Sequence, residues 1–171
     1  MAKVLYEKGY HVFAALRNTS KAGTWRDMSD VEILELDVSS KESIARCAAE
    51  VRRRTSTLDI LINNAGNDFV MLILDTDIEK AKRFFDVNFW SVPLVTQAFA
   101  DIICKARGVI VNTSSVLWNI PTPWAGVYIT SKVAVKQLSE TMRVEMEPLG
   151  VRVVTAIIGA VGTNFSSQRA I

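Results

Sequence analysis

Five short runs along the chain are apolar nearly throughout, at residues 11–16, 31–36, 58–62, 108–113 and 151–158. Runs of that length fit strands buried on both faces. Longer segments of helical periodicity lie between them. Ser39 with Glu42, and Thr76 with Glu79, have the three-residue spacing of a capping box and predict helix starts there. From Asp77 the pattern runs to Lys105, with Phe84, Val95 and Phe99 able to share a face and Pro93 expected to bend the helix. A further helix from Ala125 carries Val135, Leu138, Met142 and Met146 at spacings of three and four, and stops near Pro148 and Gly150. Strands separated by helices imply right-handed crossovers and a parallel sheet, so the predicted class is α/β.

With 171 residues and no low-complexity linker or repeat, the pattern describes one domain over 1–171. Twenty basic and 18 acidic side chains leave a formal charge of +2, too small and scattered for a nucleic-acid partner. The longest uncharged stretches, 87–100 and 153–168, carry Asn, Ser, Gln, Thr or Gly, and neither reads as a transmembrane span. The first residues bear both charge signs and lack a secretory signal, so a cytoplasmic location is expected. Cys47 and Cys104 fall in helical segments without a metal or redox spacing and are expected as reduced, buried thiols. His11, the only histidine, opens a strand and receives no chemistry.

In a parallel sheet of this class, ligands sit outside the carboxyl ends of the strands. The residues there are polar: Asp37, then Asn63-Asn64-Ala65-Gly66, Ser114-Ser115, and Gly159-Ala160-Val161-Gly162-Thr163. Tyr128 and Lys132 stand four apart near a helix start, which puts both on one face. A phenol ordinarily titrates near ~10, and an adjacent ammonium favours its phenolate, so Tyr128 is a candidate general acid or base. Ser115 is placed to hydrogen-bond a substrate oxygen. Asn88 is placed to hold Lys132 through a backbone carbonyl and a water, completing a proton relay. Each feature alone has a plainer reading. The Tyr–Lys pair could be a half-buried surface pair, Asn63 and Asn64 a turn, Asp37 a helix cap and Arg17 a solvated charge. Trp118 and Trp124, between Ser115 and Tyr128, fit an apolar substrate wall and core packing equally.

Together these residues resemble the short-chain dehydrogenase/reductase family. Asn63-Asn64-Ala65-Gly66 is similar to its NNAG element, Asn88 to its helix asparagine, and Tyr128-Ile129-Thr130-Ser131-Lys132 to its YxxxK. Ser115 stands thirteen residues before Tyr128, as the family's pair does, and 159–163 resembles the stretch that cradles nicotinamide. The segments 121–124 and 147–151 look most like a mainly fungal subgroup. It includes NADPH-dependent acyl-dihydroxyacetone-phosphate reductases and secondary-metabolism reductases. The resemblance implies a Rossmann-like doubly wound parallel sheet, here lacking its first strand, its Gly-rich loop and its C-terminal segment.

It also implies reduction of a carbonyl, or the reverse oxidation of an alcohol, on an apolar small-molecule substrate with NADP(H) as cofactor. Tyr128 would protonate the carbonyl oxygen, Ser115 polarise it, Lys132 hold the nicotinamide ribose and Asn88 anchor the lysine. Asp37 would face adenine, Asn64, Ala65 and Gly66 the adenosine ribose, and Gly159, Val161 and Thr163 the nicotinamide. Arg17, where an acidic residue would grip a ribose 2′-hydroxyl, suits a 2′-phosphate instead. The missing strand is central in the doubly wound order, so the strands ending at Leu16 and Ile62 lose a shared neighbour. The missing loop puts cofactor binding in question. Three readings stay open: a truncated reductase, a short form using Tyr128, Lys132 and Ser115 for acid–base isomerisation, dehydration or cyclisation, and a non-catalytic binding remnant. An exposed sheet edge further predicts a homo-oligomer.

Overall fold

The computed structural model describes residues 2–159. Val161 and Thr163 lie outside the described residues. The chain divides between Ser56 and Thr57 into two compact units.

The first unit runs α1 (Ala2–Glu7), β1 (Val12–Leu16), a 3-10 segment (Thr19–Asp27), β2 (Val31–Glu35) and α2 (Lys41–Arg54). β1 and β2 pair in parallel from Val12 opposite Val31 to Leu16 opposite Glu35. Val12, Val31 and Leu34 from the strands and Ile44, Cys47, Ala48 and Val51 from α2 are buried. The α2 residues recur at spacings of three and four, one stripe of the helix. Burial also raises the pKa of the Cys47 thiol. His11 is exposed, and its Nε2 is hydrogen-bonded to the Glu32 carboxylate at 2.8 Å.

The second unit runs β3 (Ile60–Asn63), α3 (Ile78–Phe85), a π-helical turn (Asp86–Trp90), α4 (Ser91–Ala106), β4 (Val109–Ser115), a 3-10 turn (Val116–Asn119), α5 (Gly126–Met146) and β5 (Arg152–Ile158). Its three strands are parallel in the order β3-β4-β5. β4, in the middle, alternates as a strand must: Ile110, Asn112 and Ser114 are buried on one face. Ile103, Ile110, Met142, Val151 and Val153 form the core, with Leu58, Leu61, Cys104, Leu138 and Met146 against it. Cys104 is therefore half-buried rather than fully inside. Gly108 opens β4 where the backbone of Leu58 and Asp59 crosses; an added Cβ would meet their carbonyl oxygens at 2.7 Å.

Three local expectations shift. Ser40, not Ser39, caps α2, accepting from the Ser43 amide, because Ser39 is held in a turn by Asp37. Asp77, not Thr76, caps α3 through the amides of Glu79 and Lys80, while the Thr76 hydroxyl donates back to the Leu72 carbonyl. The long helix is not simply bent at Pro93. It opens into the π turn just ahead, where the Ser91 amide reaches back five residues to the Asp86 carbonyl. Pro93 has no N–H for the carbonyl four residues before it, so the α ladder is already broken at this level.

The continuous stretch Ile78–Ala106 is, by length and composition alone, apolar enough to cross a bilayer, with a mean hydropathy of 1.3 over its most apolar window. This corrects the expectation that no segment qualifies. Packing accounts for its composition: Phe84, Val92, Val95, Phe99, Ile102 and Ile103 are buried within the unit. Asn88, Ser91 and Thr96 are buried with them and hydrogen-bonded.

Candidate active site

β3 and β4 run in register from Ile60 opposite Val109 to Asn63 opposite Asn112, and β4 reaches Ser115 opposite Ile158 of β5. Asn64-Ala65-Gly66, Ser115 and Gly159 therefore leave the same edge of one sheet. The Asn64 side-chain oxygen accepts from the Thr113 hydroxyl at 3.4 Å. Ser115 is buried, and its Oγ accepts the Leu117 amide at 3.2 Å, starting the 3-10 turn. That bond uses an oxygen lone pair and keeps the hydroxyl proton for a donor role.

α5 brings Tyr128 and Lys132 to this edge. Lys132 is 6% exposed, and its Nζ donates to the Thr113 carbonyl at 3.1 Å. Burial pushes its pKa from 10.5 to about 8. The ammonium stands 5.9 Å from the centre of the Tyr128 ring. Two buried hydroxyls fasten the backbone around the pair. Ser114 Oγ donates to the Lys132 carbonyl at 2.9 Å, tying α5 to β4, and Ser131 Oγ donates to the Tyr128 carbonyl at 2.7 Å.

Asn88 sits in the π turn, 1% exposed. Its side chain clamps the loop after β3, accepting from the Asn67 amide at 2.8 Å and donating to the Asn67 carbonyl at 2.9 Å. The Asn88 side chain thus holds the loop, and Lys132 is bonded to the Thr113 carbonyl. The groups still converge. A Cβ added at Gly66 would lie 3.5 Å from Asn88 Oδ1 and 3.6 Å from Lys132 Nζ. Both distances are ordinary van der Waals contacts, so the loop backbone at Gly66 runs close beside the ammonium. A three-donor ammonium bound to one carbonyl, beside an open backbone and a strand-end hydroxyl, fits the hydroxyls of a ribose.

A buried amide network went unread in the sequence. Asn63 Nδ2 donates to Asn112 Oδ1 at 2.8 Å and to Thr96 Oγ1 at 3.2 Å, and Asn112 Nδ2 donates to Ser139 Oγ at 2.9 Å. It joins β3, β4, α4 and α5 directly beneath the site. The available signal was Asn112, an amide on the inward face of an otherwise apolar run.

In the first unit, Asp37 follows β2 and accepts from the Ser39 hydroxyl and amide. These bonds, the hydroxyl first, hold its carboxyl below the usual range, and the Arg17 charge adds to the effect. Arg17, just beyond β1, is exposed. Asp37 is a turn-former, not the cap of α2. Among the described residues, no cluster of His, Cys, Asp and Glu could hold a metal ion.

The family model described as short chain dehydrogenase matches residues 1–170. A short-chain dehydrogenase of Talaromyces islandicus is 48% identical over 165 residues, covering 96% of this chain and 58% of that protein. An NADPH-dependent 1-acyldihydroxyacetone phosphate reductase of Schizosaccharomyces pombe is 34% identical over 175 residues, covering 98% of this chain and 57% of that protein. The chain spans less than two thirds of the length of these relatives. Among solved structures, an alcohol dehydrogenase from the archaeon Thermococcus sibiricus, complexed with 5-hydroxy-NADP, superimposes with a TM-score of 0.91 at 25% identity, covering 98% of this chain and 73% of its own.

Proposed function

Because the chain belongs to the short-chain dehydrogenase family, we propose that it carries the site of an NADPH-dependent carbonyl reductase, acting on a small apolar ketone or on the corresponding alcohol in reverse. The observation that carries this reading is the buried Lys132 ammonium, fixed by the Thr113 carbonyl and facing the Tyr128 ring at the strand end that bears Ser115.

Tyr128 gives its phenolic proton to the carbonyl oxygen as that oxygen gains charge. Ser115 donates a hydrogen bond to the same oxygen, worth most where negative charge develops. Lys132 stabilises the phenolate left behind and binds the ribose hydroxyls through its remaining donors. The reduced nicotinamide, when bound, supplies the hydride. Asn88 acts one step removed, by fixing the loop of Asn64, Ala65 and Gly66 that lines the ribose side. Gly159, Val161 and Thr163 are assigned to the nicotinamide, Asp37 to the adenine and Arg17 to the 2′-phosphate. The names of the fission-yeast relative and of the archaeal complex support NADP(H) for this chain. A second copy is expected to cover β5, whose Val154 and Ile157 are exposed.

The test is Tyr128→Phe, which removes one hydroxyl and leaves the packing of α5. NADPH oxidation over a panel of ketones should fall by a factor on the order of 10² to 10⁴. Turnover retained in the variant refutes the assignment. Activity that persists without NADPH would instead favour cofactor-free acid–base chemistry by the same three residues.

A further inference from the structure

α5 is joined to β4 by directional bonds as well as by apolar packing. Ile110, Asn112 and Ser114 are buried on one face of β4, and Ser131, Val135 and Ser139 are buried along one stripe of α5. Two of the β4 side chains bond across to the helix. Asn112 Nδ2 donates to Ser139 Oγ, and Ser114 Oγ donates to the Lys132 carbonyl, both at 2.9 Å. Apolar contact is non-directional and tolerates a helix that slides along a strand. A hydrogen bond does not, since it weakens with distance and angle. The two bonds lie about two helical turns apart on α5, so together they fix both its height and its twist against β4.

The bond at Ser114 bears most directly on the site. Lys132 is gripped at both ends: its backbone carbonyl accepts from Ser114, and its ammonium donates to the carbonyl of Thr113, the preceding residue of the strand. Ser114 itself is 1% exposed, so it acts through the lysine rather than on a substrate. Tyr128, one turn earlier on α5, is tied to the same stretch of helix through the Ser131 hydroxyl.

We propose that Ser114 is a positioning residue, which through the Lys132 carbonyl sets where α5 presents the ammonium, and with it Tyr128, to the strand-end site. Its effect on turnover rests on the carbonyl-reductase reading; its effect on Lys132 does not. A misplacement on the order of 1 Å between reacting groups costs about 10²-fold in rate. The smaller shift expected from one lost bond should cost about tenfold.

Two variants and two readouts test this. Ser114→Ala removes one hydroxyl, and Ser114→Thr keeps it in a residue that strands favour. The kcat for NADPH oxidation with acetophenone should fall about tenfold in Ser114→Ala and return to within about threefold in Ser114→Thr. The Lys132 ammonium is read without turnover, by NMR, as the side-chain signal that Lys132→Met lacks. The groups that face it are the Tyr128 ring, the Thr113 carbonyl and, beside Gly66, the Asn88 amide oxygen. Of these, Tyr128 titrates, and a Tyr128→Phe background removes it. With Ser114 in place the signal should titrate at about pH 8. In Ser114→Ala the ammonium gains water and should titrate higher, by about 0.5 pH or more; in Ser114→Thr it should titrate as with Ser114. A serine that served stability alone would move neither readout of the folded chain. An unmoved Lys132 signal in Ser114→Ala overturns the proposal whatever happens to turnover, and so does an unchanged kcat in a chain that turns over. A moved signal in a chain that reduces no ketone of a panel would keep the role of Ser114 towards Lys132 and refute the reductase reading.

Discussion

The buried ammonium of Lys132 makes the stability of the second unit depend on pH in a way that can be isolated. The pKa falls from 10.5 to about 8 on folding, because burial penalises the charged form. At 1.36 kcal/mol per pH unit, the charged lysine costs the fold roughly 3 kcal/mol at neutral pH. Between about pH 8 and 10.5 the unfolded chain holds the proton that the folded chain has released. Stability therefore rises with pH through this window and levels off above it. About 1 kcal/mol of the gain should appear between pH 7 and 9. The perturbation is Lys132→Met, made in a Tyr128→Phe background so that phenol ionisation drops out of the comparison. Losing the bond to the Thr113 carbonyl adds a cost that does not vary with pH, so only the slope is compared. Urea unfolding at pH 7, 8 and 9 should show the lysine protein gaining on the methionine variant at each step. Parallel stabilities, or a lysine protein that loses ground as pH rises, would refute the claim that the ammonium is desolvated.

Further outcomes follow from the same geometry. Asn112→Leu removes one of two hydrogen-bond partners from each of Asn63 and Ser139 and should cost about 1–2 kcal/mol in urea unfolding, the scale of two lost hydrogen bonds. Asn88→Ala releases both backbone groups of Asn67; KM for NADPH should rise more than kcat falls, with hydrogen exchange faster at residues 65–69. Arg17→Ala should lower the preference for NADPH over NADH at least about tenfold, the scale of one charge-assisted contact, measured as the ratio of the two dissociation constants. Light scattering should give the mass of an oligomer; a well-behaved monomer would count against a second copy at β5.

Much of this was legible in the chain itself, for identifiable reasons. The α5 stripe of Val135, Leu138, Met142 and Met146 points inward because apolar spacing alone fixes a helix face. Tyr128 and Lys132 share a face because they are one helical turn apart, and Lys132 reaches the strand that Ser115 ends through the Thr113 carbonyl. Helix starts slipped by one residue where Ser39-Ser40 and Thr76-Asp77 each offer two adjacent caps, a choice settled by the turn before the helix. The partners of Asn88 and Asn112 were hidden for a different reason. Asn67 and Asn63 approach them across 21 and 49 residues of sequence, and no local pattern encodes such distances. The π turn at Asn88 likewise depends on where Pro93 falls against the packed face of the long helix.

The central claim is that this chain holds NADPH beside Tyr128, and calorimetric titration of the chain with NADPH, with NADH as the control, tests it most directly. The account predicts micromolar NADPH binding, with NADH weaker by at least about tenfold. No heat of NADPH binding to the folded chain would contradict it and leave the acid–base residues without a hydride to partner.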